Sequence, residues 1–250
     1  MNETLLAMLV AALVAGLGGL FVPRLIASVP EPEPDPEAEA DPEDEAEPSV
    51  PVTPEEPKEL YRDIAALPQL AVRTGLVAAV VGAAVGAGIG WHWTLAVWTA
   101  LVPVGVALGL IDWRTKLLPT WLIRPTYLVL VPVVVAGTLL FDSPADLLPV
   151  LLGWLFAGGL YFLLWFVHPR GLGYGDVRLS GILGIALGLV GWSELVFGVW
   201  VGFLLGGVGG ILLAALRLVQ KRALPFGPFM LLGSVVGLLA GEQAMALLAG

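Results

Sequence analysis

Two aspartates, Asp112 and Asp176, stand at the borders of long apolar segments. Asp112 follows an apolar run that ends in Gly109-Leu110-Ile111, and Asp176 follows the stretch Gly171-Leu172-Gly173-Tyr174-Gly175. Ionisable side chains at membrane depth are costly, so they are candidates for function. Two carboxyl groups in one site can share a proton, so that one activates water while the other donates to a carbonyl oxygen. If the chain brings them together, this pair predicts hydrolysis of the kind that aspartic proteases perform.

A simpler interpretation is that each aspartate only stabilises a helix end. Asp176 could cap the helix that it precedes, and Asp112 could pair with Arg114 or Arg124. The three alternating glycines before Asp176 favour the functional interpretation, because they give a flexible backbone without side-chain bulk beside the carboxyl group. A phosphate-binding loop is disfavoured, because no strand precedes these glycines.

Four further residues are predicted to support the two aspartates. Gly173 and Gly175 would let an extended peptide, or the other aspartate, come close. The basic residues Lys116 and Arg178, together with Arg114, could hold one carboxyl group ionised, although the need to orient a chain in the membrane explains them equally well. Cysteine is absent and there are only two histidines, so neither a metal nor another cofactor is predicted.

The composition is that of a membrane protein. Of the 250 residues, 58% are hydrophobic and only 13% are charged, and the mean hydropathy is +0.90. An ordinary soluble domain is roughly a quarter charged. Open strands cannot satisfy their backbone in lipid, so the apolar runs are predicted to be helices of an all-α, polytopic protein with about eight transmembrane helices. The predicted spans are Leu5–Val22, Thr74–Gly90, Thr94–Ile111, Pro125–Phe141, Leu147–Val167, Val177–Gly191, Leu195–Leu216 and Phe226–Leu248.

Acidic residues are concentrated between the first two spans. Residues 31–59 hold thirteen Asp or Glu, one Lys and many prolines, without glycine or aromatic residues. Such a segment cannot bury enough apolar area to fold by itself, so we expect a disordered linker. The predicted organisation is an anchor helix over 1–22, an acidic Pro-rich cytoplasmic linker over 23–69 and a seven-helix membrane domain over 70–250. The first span lacks the basic start and the cleavage site of a signal peptide.

The basic residues predict the orientation. With eight spans, all twelve Lys and Arg fall in or beside the odd-numbered connections, and the even connections and both termini carry none. The positive-inside rule then places both termini outside and the odd connections in the cytoplasm. Two helices separate Asp112 from Asp176, so both are expected at the cytoplasmic face of the cell membrane.

Three motifs resemble the type IV prepilin leader peptidases of bacteria, which are polytopic aspartic proteases of the GxGD group. The likeness covers roughly residues 70 to 250. Ile111–Pro119 is similar to the family's first-aspartate motif, and Gly173–Leu179 is similar to its Gly-x-Gly-Asp-x-Lys-Leu motif. Leu224–Phe229 is similar to the Pro-Phe-Gly-Pro-Phe turn before the last helix. The resemblance implies that Asp112 and Asp176 are the catalytic pair.

Three differences from the family are visible. Arg178 replaces the usual lysine, and Thr120 stands after Pro119 where the family often has Asp or Asn. Bifunctional members carry a domain with paired cysteines, associated with N-methylation, where this chain has its acidic segment. The resemblance therefore implies a monofunctional peptidase, with no support for methyl transfer or for zinc.

The function expected from the sequence is cleavage of the basic leader from pilin-like precursors at the cytoplasmic face. The expected partners are those precursors and membrane lipid, and no nucleic acid. The acidic segment could attract a basic leader or act only as a spacer. The alternative from another class is a small transporter or channel that uses the aspartates to bind cations or protons. A presenilin-type protease is disfavoured because Ile111, not Tyr, precedes Asp112.

Overall fold

A computed structural model of the protein describes residues 2–31, 59–169, 172–209 and 225–249, and all the regular secondary structure in these ranges is helical. A short 3-10 turn, Pro144–Asp146, precedes α7, and a π-helical turn, Leu205–Gly209, follows α9. The helices are α1 Glu3–Gly19, α2 Val22–Ala27, α3 Tyr61–Ala65, α4 Leu70–Ile89, α5 Thr94–Thr115, α6 Thr120–Phe141, α7 Leu147–Val167, α8 Tyr174–Gly188, α9 Trp192–Leu204 and α10 Gly227–Ala249.

Within the described residues, each of the eight predicted apolar spans coincides with a helix, which confirms the all-α polytopic class. Five helical segments are long and apolar enough to cross a membrane, namely Leu70–Ile89, Thr94–Thr115, Thr120–Phe141, Pro144–Val167 and Gly227–Leu248. The helices α1, α8 and α9 are shorter, with 17, 15 and 13 residues. Residues 210–216 of the span predicted over Leu195–Leu216 lie outside the described residues, so the number of crossings stays a prediction.

Small residues let the helices pack closely in pairs. On α1, the buried residues Ala7, Ala11, Ala15 and Gly19 recur every four positions and face α4. A Cβ atom on Gly82 of α4 would lie 2.5 Å from the carbonyl oxygen of Ala11. Such stripes allow close backbone contact in membranes, where dispersion rather than hydrophobicity drives association. The predicted anchor helix is therefore packed against the bundle.

Two other pairs of helices are built in the same way. Gly153 of α7 faces Gly184 of α8, and Gly198 of α9 faces Gly233 and Gly237 of α10. The pair α1–α4 and helix α10 both contact α5. Helix α5 therefore lies inside the bundle, with Asp112 in its last turn.

The flanks of the predicted linker differ from the expectation of disorder over 23–69. Residues 22–27 form α2 and residues 61–65 form α3, and Ile26 and Ile64 are fully buried. Both belong to the same apolar core as Ile111 of α5. The prediction missed these helices because acidic residues and prolines dominate the composition of the segment, which contains few apolar residues. Residues 32–58 of the predicted linker lie outside the described residues.

Candidate active site

Asp112 lies in the last turn of α5 and is 4% exposed. The apolar run ends at Ile111, but the helix continues to Thr115. Lys116 ends it in the left-handed conformation, with φ 57°, and its N–H donates to the carbonyl oxygen of Asp112 at 2.8 Å. A residue of this conformation is a common way to end a helix. The carboxyl group is therefore carried by rigid helical backbone.

The partner of the Asp112 carboxyl group is a backbone amide of a distant helix. The N–H of Gly227, the first residue of α10, donates to Oδ2 of Asp112 at 2.8 Å. A Cβ atom at position 227 would lie 2.8 Å from the same oxygen. Glycine is therefore required for this close approach. The turn that resembles the family motif holds the first aspartate.

Asp176 lies at the third position of α8 and is 7% exposed. Its Oδ2 atom accepts a hydrogen bond from the N–H of Gly173 at 3.1 Å, so the carboxylate caps its own helix, as the simpler interpretation expected. Its Oδ1 atom is buried and has no hydrogen-bond partner among the described residues. Helix capping thus uses one oxygen and leaves the other available.

Both aspartates line one cavity of about 480 Å³ at the same end of the bundle. The wall combines the end of α5, the 117–119 loop, the start of α6, the start of α8 and part of the chain before α4. All six residues predicted for the site line this cavity, namely Asp112, Lys116, Gly173, Gly175, Asp176 and Arg178.

Gly173 and Gly175 matter because they lack a side chain, and not because their backbone is flexible. Gly173 has φ −71° and ψ 145°, an extended conformation that any residue can adopt. A Cβ atom on Gly175 would lie 2.7 Å from Cβ of Leu118. The room left by Gly175 is therefore filled by Leu118 of the 117–119 loop, whereas the sequence suggested an extended peptide or the other aspartate.

Arg178 contacts the helices around the cavity but neither aspartate. Its guanidinium group donates to Oγ1 of Thr120 and lies 4.9 Å from the ring centre of Tyr174. The hydroxyl of Tyr127 donates to the carbonyl oxygen of Arg178 at 2.9 Å. Arg178 therefore joins α8 to α6 and uses the threonine that departs from the family pattern.

The cations near Asp112 do not pair with it either. Arg114 forms a bidentate ion pair with Glu59, and in the described ranges no ion pair reaches Asp112 or Asp176. The hydrogen bond from Arg114 lowers the pKa of Glu59 below its ordinary value. The alternative in which Asp112 pairs with Arg114 or Arg124 is therefore wrong.

Sequence reasoning missed two residues of the site. Gly227 was quoted only as part of a motif, although a glycine between two aromatic residues and two prolines signals a close backbone approach. Tyr61, which lines the cavity, carried no signal because it borders the acidic segment. Within 2–31, 59–169, 172–209 and 225–249, no group of three or more His, Asp or Glu is arranged to hold a metal ion.

The fold and the cavity define a polytopic helical membrane protein with two buried carboxyl groups in one site. A comparison with protein-family models matches residues 99–239 to the type IV leader peptidase family. The match covers more than half of the chain and both aspartates. The chain belongs to the type IV leader peptidase family, and the resemblance inferred from the three motifs is confirmed.

Curated relatives point the same way. A protein named prepilin leader peptidase/N-methyltransferase from Stutzerimonas stutzeri is 30% identical over 165 residues, which cover 63% of this chain and 55% of the relative. Proteins of the same name from Aeromonas salmonicida and Escherichia coli K12 are 32% and 34% identical, and the matches cover 70% and 53% of this chain and 58% of each relative.

The chain thus spans just over half the length of these relatives. No solved structure matches the chain. The alternative of a transporter or channel is not favoured, because the family and the relatives are those of peptidases.

Proposed function

We propose that the protein is a membrane-embedded aspartic endopeptidase that removes the basic leader from pilin-like precursors. One observation carries the proposal: Asp112 and Asp176, both buried, line a single cavity at one end of the bundle. Membership of the leader peptidase family supports a peptidase. The name that the curated relatives share supports prepilins as the substrate class.

The proposed mechanism uses the two carboxyl groups in opposite protonation states. Two carboxyl groups in one poorly hydrated cavity resist simultaneous ionisation, so one proton is shared between them. The ionised partner takes a proton from water while the water oxygen attacks the carbonyl carbon of the scissile peptide. The protonated partner donates its proton to the carbonyl oxygen. When the tetrahedral intermediate collapses, the first aspartate passes the proton that it took from water to the leaving nitrogen, and a hydroxyl proton of the intermediate returns to the second aspartate. The C–N bond breaks, the new amine and carboxyl termini are released, and both acids regain their starting states.

The backbone donors support this chemistry by orienting both acids. Gly227 holds Oδ2 of Asp112, and Gly173 holds Oδ2 of Asp176. Each carboxyl group keeps a second oxygen that no described residue engages by a hydrogen bond. Rigid placement of reacting groups is a large source of rate enhancement, because it avoids the entropic cost of bringing them together. Lys116, Arg178, Gly173 and Gly175 are proposed to shape the peptide site.

The topology is part of the proposal. We propose that the cavity opens at the cytoplasmic face of the cell membrane, that both termini lie outside and that lipid surrounds the bundle, because the Lys and Arg residues are confined to the odd-numbered connections. Within this topology, 1–22 anchors the chain and 70–250 forms the peptidase domain. We do not extend the proposal to N-methylation, because this sequence contains no cysteine.

The test is cleavage of a synthetic precursor by detergent-solubilised protein. The substrate carries a basic leader followed by an apolar segment, and mass spectrometry of the products identifies one defined cut. Asp112→Asn and Asp176→Asn are expected to give no product while they insert in the membrane as well as the wild type. Asp142→Asn, the same change at the opposite end of the bundle, is the control and stays active. Full activity in either of the first two variants contradicts the mechanism.

A further inference from the structure

The wall of the cavity includes a part of the chain that lies before the segment matched to the family. Val29, Pro30 and Tyr61 line the same cavity as the two aspartates. The family match begins at residue 99, and none of the three sequence motifs reaches this part of the chain. The family match and the motifs therefore do not explain why these three residues line the cavity.

The first contact that holds this wall is made by Glu31. Its carboxylate accepts hydrogen bonds from the backbone N–H groups of Tyr61 at 2.8 Å and of Arg62 at 2.9 Å. These are the first two amides of α3, which no carbonyl of the helix itself can satisfy. The carboxylate thus fixes residue 31 directly against the start of α3.

The second contact joins α3 to the helix of the first aspartate. Both nitrogens of the Arg114 fork reach the carboxylate of Glu59, and the Nη2–Oε1 distance is 2.6 Å. Arg114 lies two residues after Asp112 on α5, and Glu59 lies two residues before Tyr61. A bidentate guanidinium–carboxylate pair fixes direction as well as distance. The position of Tyr61 is thereby set relative to Asp112.

Packing completes the wall. Tyr61 is 3% exposed, and Ile64 is fully buried in the core that contains Ile111. Burial raises the pKa of the Tyr61 hydroxyl, and the nearby Glu31 carboxylate raises it further. Tyr61 therefore stays neutral at physiological pH, and with Val29 and Pro30 it forms an apolar surface beside two acids.

We propose that Val29, Pro30 and Tyr61 form a specificity wall that contacts the bound peptide, and that Glu59 and Arg114 are the pair that positions it. This inference rests on the proposed peptidase function. An apolar wall gains contact with an apolar side chain next to the scissile bond and disfavours a charged one. The wall thus acts on peptide binding, whereas the aspartates act on the chemical step.

The positioning pair is tested by exchanging its charges. Arg114→Glu and Glu59→Arg are each expected to raise KM for the synthetic precursor about threefold to tenfold, with kcat nearly unchanged. The double variant E59R/R114E restores KM to within about twofold of the wild type, because the pair is re-formed with reversed charges. Arg73→Glu makes the same charge change on an exposed side chain of α4 that does not line this cavity, and it leaves KM unaltered. Single variants with wild-type KM, or a double variant that recovers nothing, overturn the inference.

The wall itself is tested with peptides that differ only beside the scissile bond. Tyr61→Ala is expected to reduce the preference for an apolar over a charged residue about tenfold, whereas Tyr61→Phe keeps the wild-type preference. An unchanged preference in Tyr61→Ala overturns the inference. A wild-type protein that cuts no precursor, or an active Asp176→Asn variant, contradicts the proposed function. A third outcome contradicts this inference alone. In it, the wild type cleaves normally and the aspartate variants are inactive, but the Tyr61, Glu59 and Arg114 variants behave like the wild type.

Discussion

The two ends of the bundle hold aspartates in opposite situations. Asp142 follows the last residue of α6, and its carboxylate accepts a hydrogen bond from Nε1 of Trp93 at 2.7 Å and lies 3.4 Å from Nε2 of His92. At the other end, Asp112 and Asp176 each receive one backbone N–H from the described part of the chain. The Asp142 side chain is 24% exposed, but Asp112 and Asp176 are nearly buried.

The difference separates a structural acid from the two acids that we propose to be catalytic. The hydrogen bond from Trp93 connects the loop between α4 and α5 to the end of α6, and His92 of the same loop lies close to the Asp142 carboxylate. Trp93 also packs against Gly137 and stacks on Phe141 at 6.2 Å. The carboxyl groups at the other end face a cavity and form no ion pair with a described residue. We attribute the cost of burying them to the function proposed above.

The largest expected effect tests the contrast directly. Asp112→Asn and Asp176→Asn lower kcat/KM for precursor cleavage by at least about a hundredfold, because each removes a group that transfers a proton. Asp142→Asn changes kcat/KM by less than about twofold, because it removes a contact and no reacting group. The measurement is steady-state cleavage at matched protein concentration. If Asp142→Asn lowered kcat/KM as much as Asp112→Asn or Asp176→Asn, the distinction between a structural acid and two catalytic acids would be wrong.

A smaller loss is expected when the support of Asp112 is disturbed. Gly227→Ala places a methyl group against Oδ2 of Asp112 and displaces a carboxyl group from its working position. We expect kcat to fall about tenfold to a hundredfold, which is the usual result of a shift near 1 Å. Gly159→Ala is the control, since a Cβ atom there meets nothing within 4 Å. A fully active Gly227→Ala variant shows that this contact is not needed.

The loop contact at Gly175 gives an effect that a second change reverses. A Cβ atom on Gly175 overlaps Cβ of Leu118, so Gly175→Ala displaces the 117–119 loop and lowers activity about tenfold. Leu118→Gly removes the overlapping atom, and the double variant G175A/L118G is expected to exceed Gly175→Ala in activity. Comparison with Leu118→Gly alone corrects for loop flexibility. If the double variant is worse than both singles, the overlap is not the cause.

At the Asp142 end, the expected effect is on stability alone. Trp93→Phe keeps an aromatic ring but removes the N–H that donates to Asp142. The free energy of unfolding should fall by about 1 kcal/mol, with cleavage at the wild-type rate. Thermal unfolding in detergent, followed with a cleavage assay on the same sample, provides both values. A loss of activity without a loss of stability contradicts the structural assignment.

The smallest effect concerns the paired acid beside the cavity. Because the pKa of Glu59 is lowered in the folded protein, its ion pair with Arg114 stabilises the fold at pH values above the ordinary pKa of 4.5, and this stabilisation disappears as the pH falls below that value. The wild type should melt slightly higher than Glu59→Gln at pH 7, and the two should converge in acid. Since Arg114 is 37% and Glu59 30% exposed, high salt should also reduce the difference.

The apolar runs of the sequence predict the long helices. They also predict that the two aspartates lie at the same end of the bundle, because two apolar runs, each long enough to cross the bundle, separate them. It did not predict the contact between Asp112 and Gly227, since a pairing across 115 residues leaves no trace in local periodicity. The sequence predicts that this apolar span ends at Ile111, because hydropathy falls at the first charged residue. The backbone of α5 nevertheless stays helical through Thr115, and Lys116 ends the helix. The sequence did not predict the short helices α2 and α3, because the few apolar residues in them hardly change the average composition of the segment 23–69.

The amide that orients Asp112 lies at the start of α10, so it is synthesised after both acids have left the ribosome. A nascent chain that has not yet produced α10 carries the complete acid pair without the amide that orients Asp112. Under the proposed mechanism, the acid pair therefore becomes fully oriented for cleavage only when α10 has docked against the end of α5.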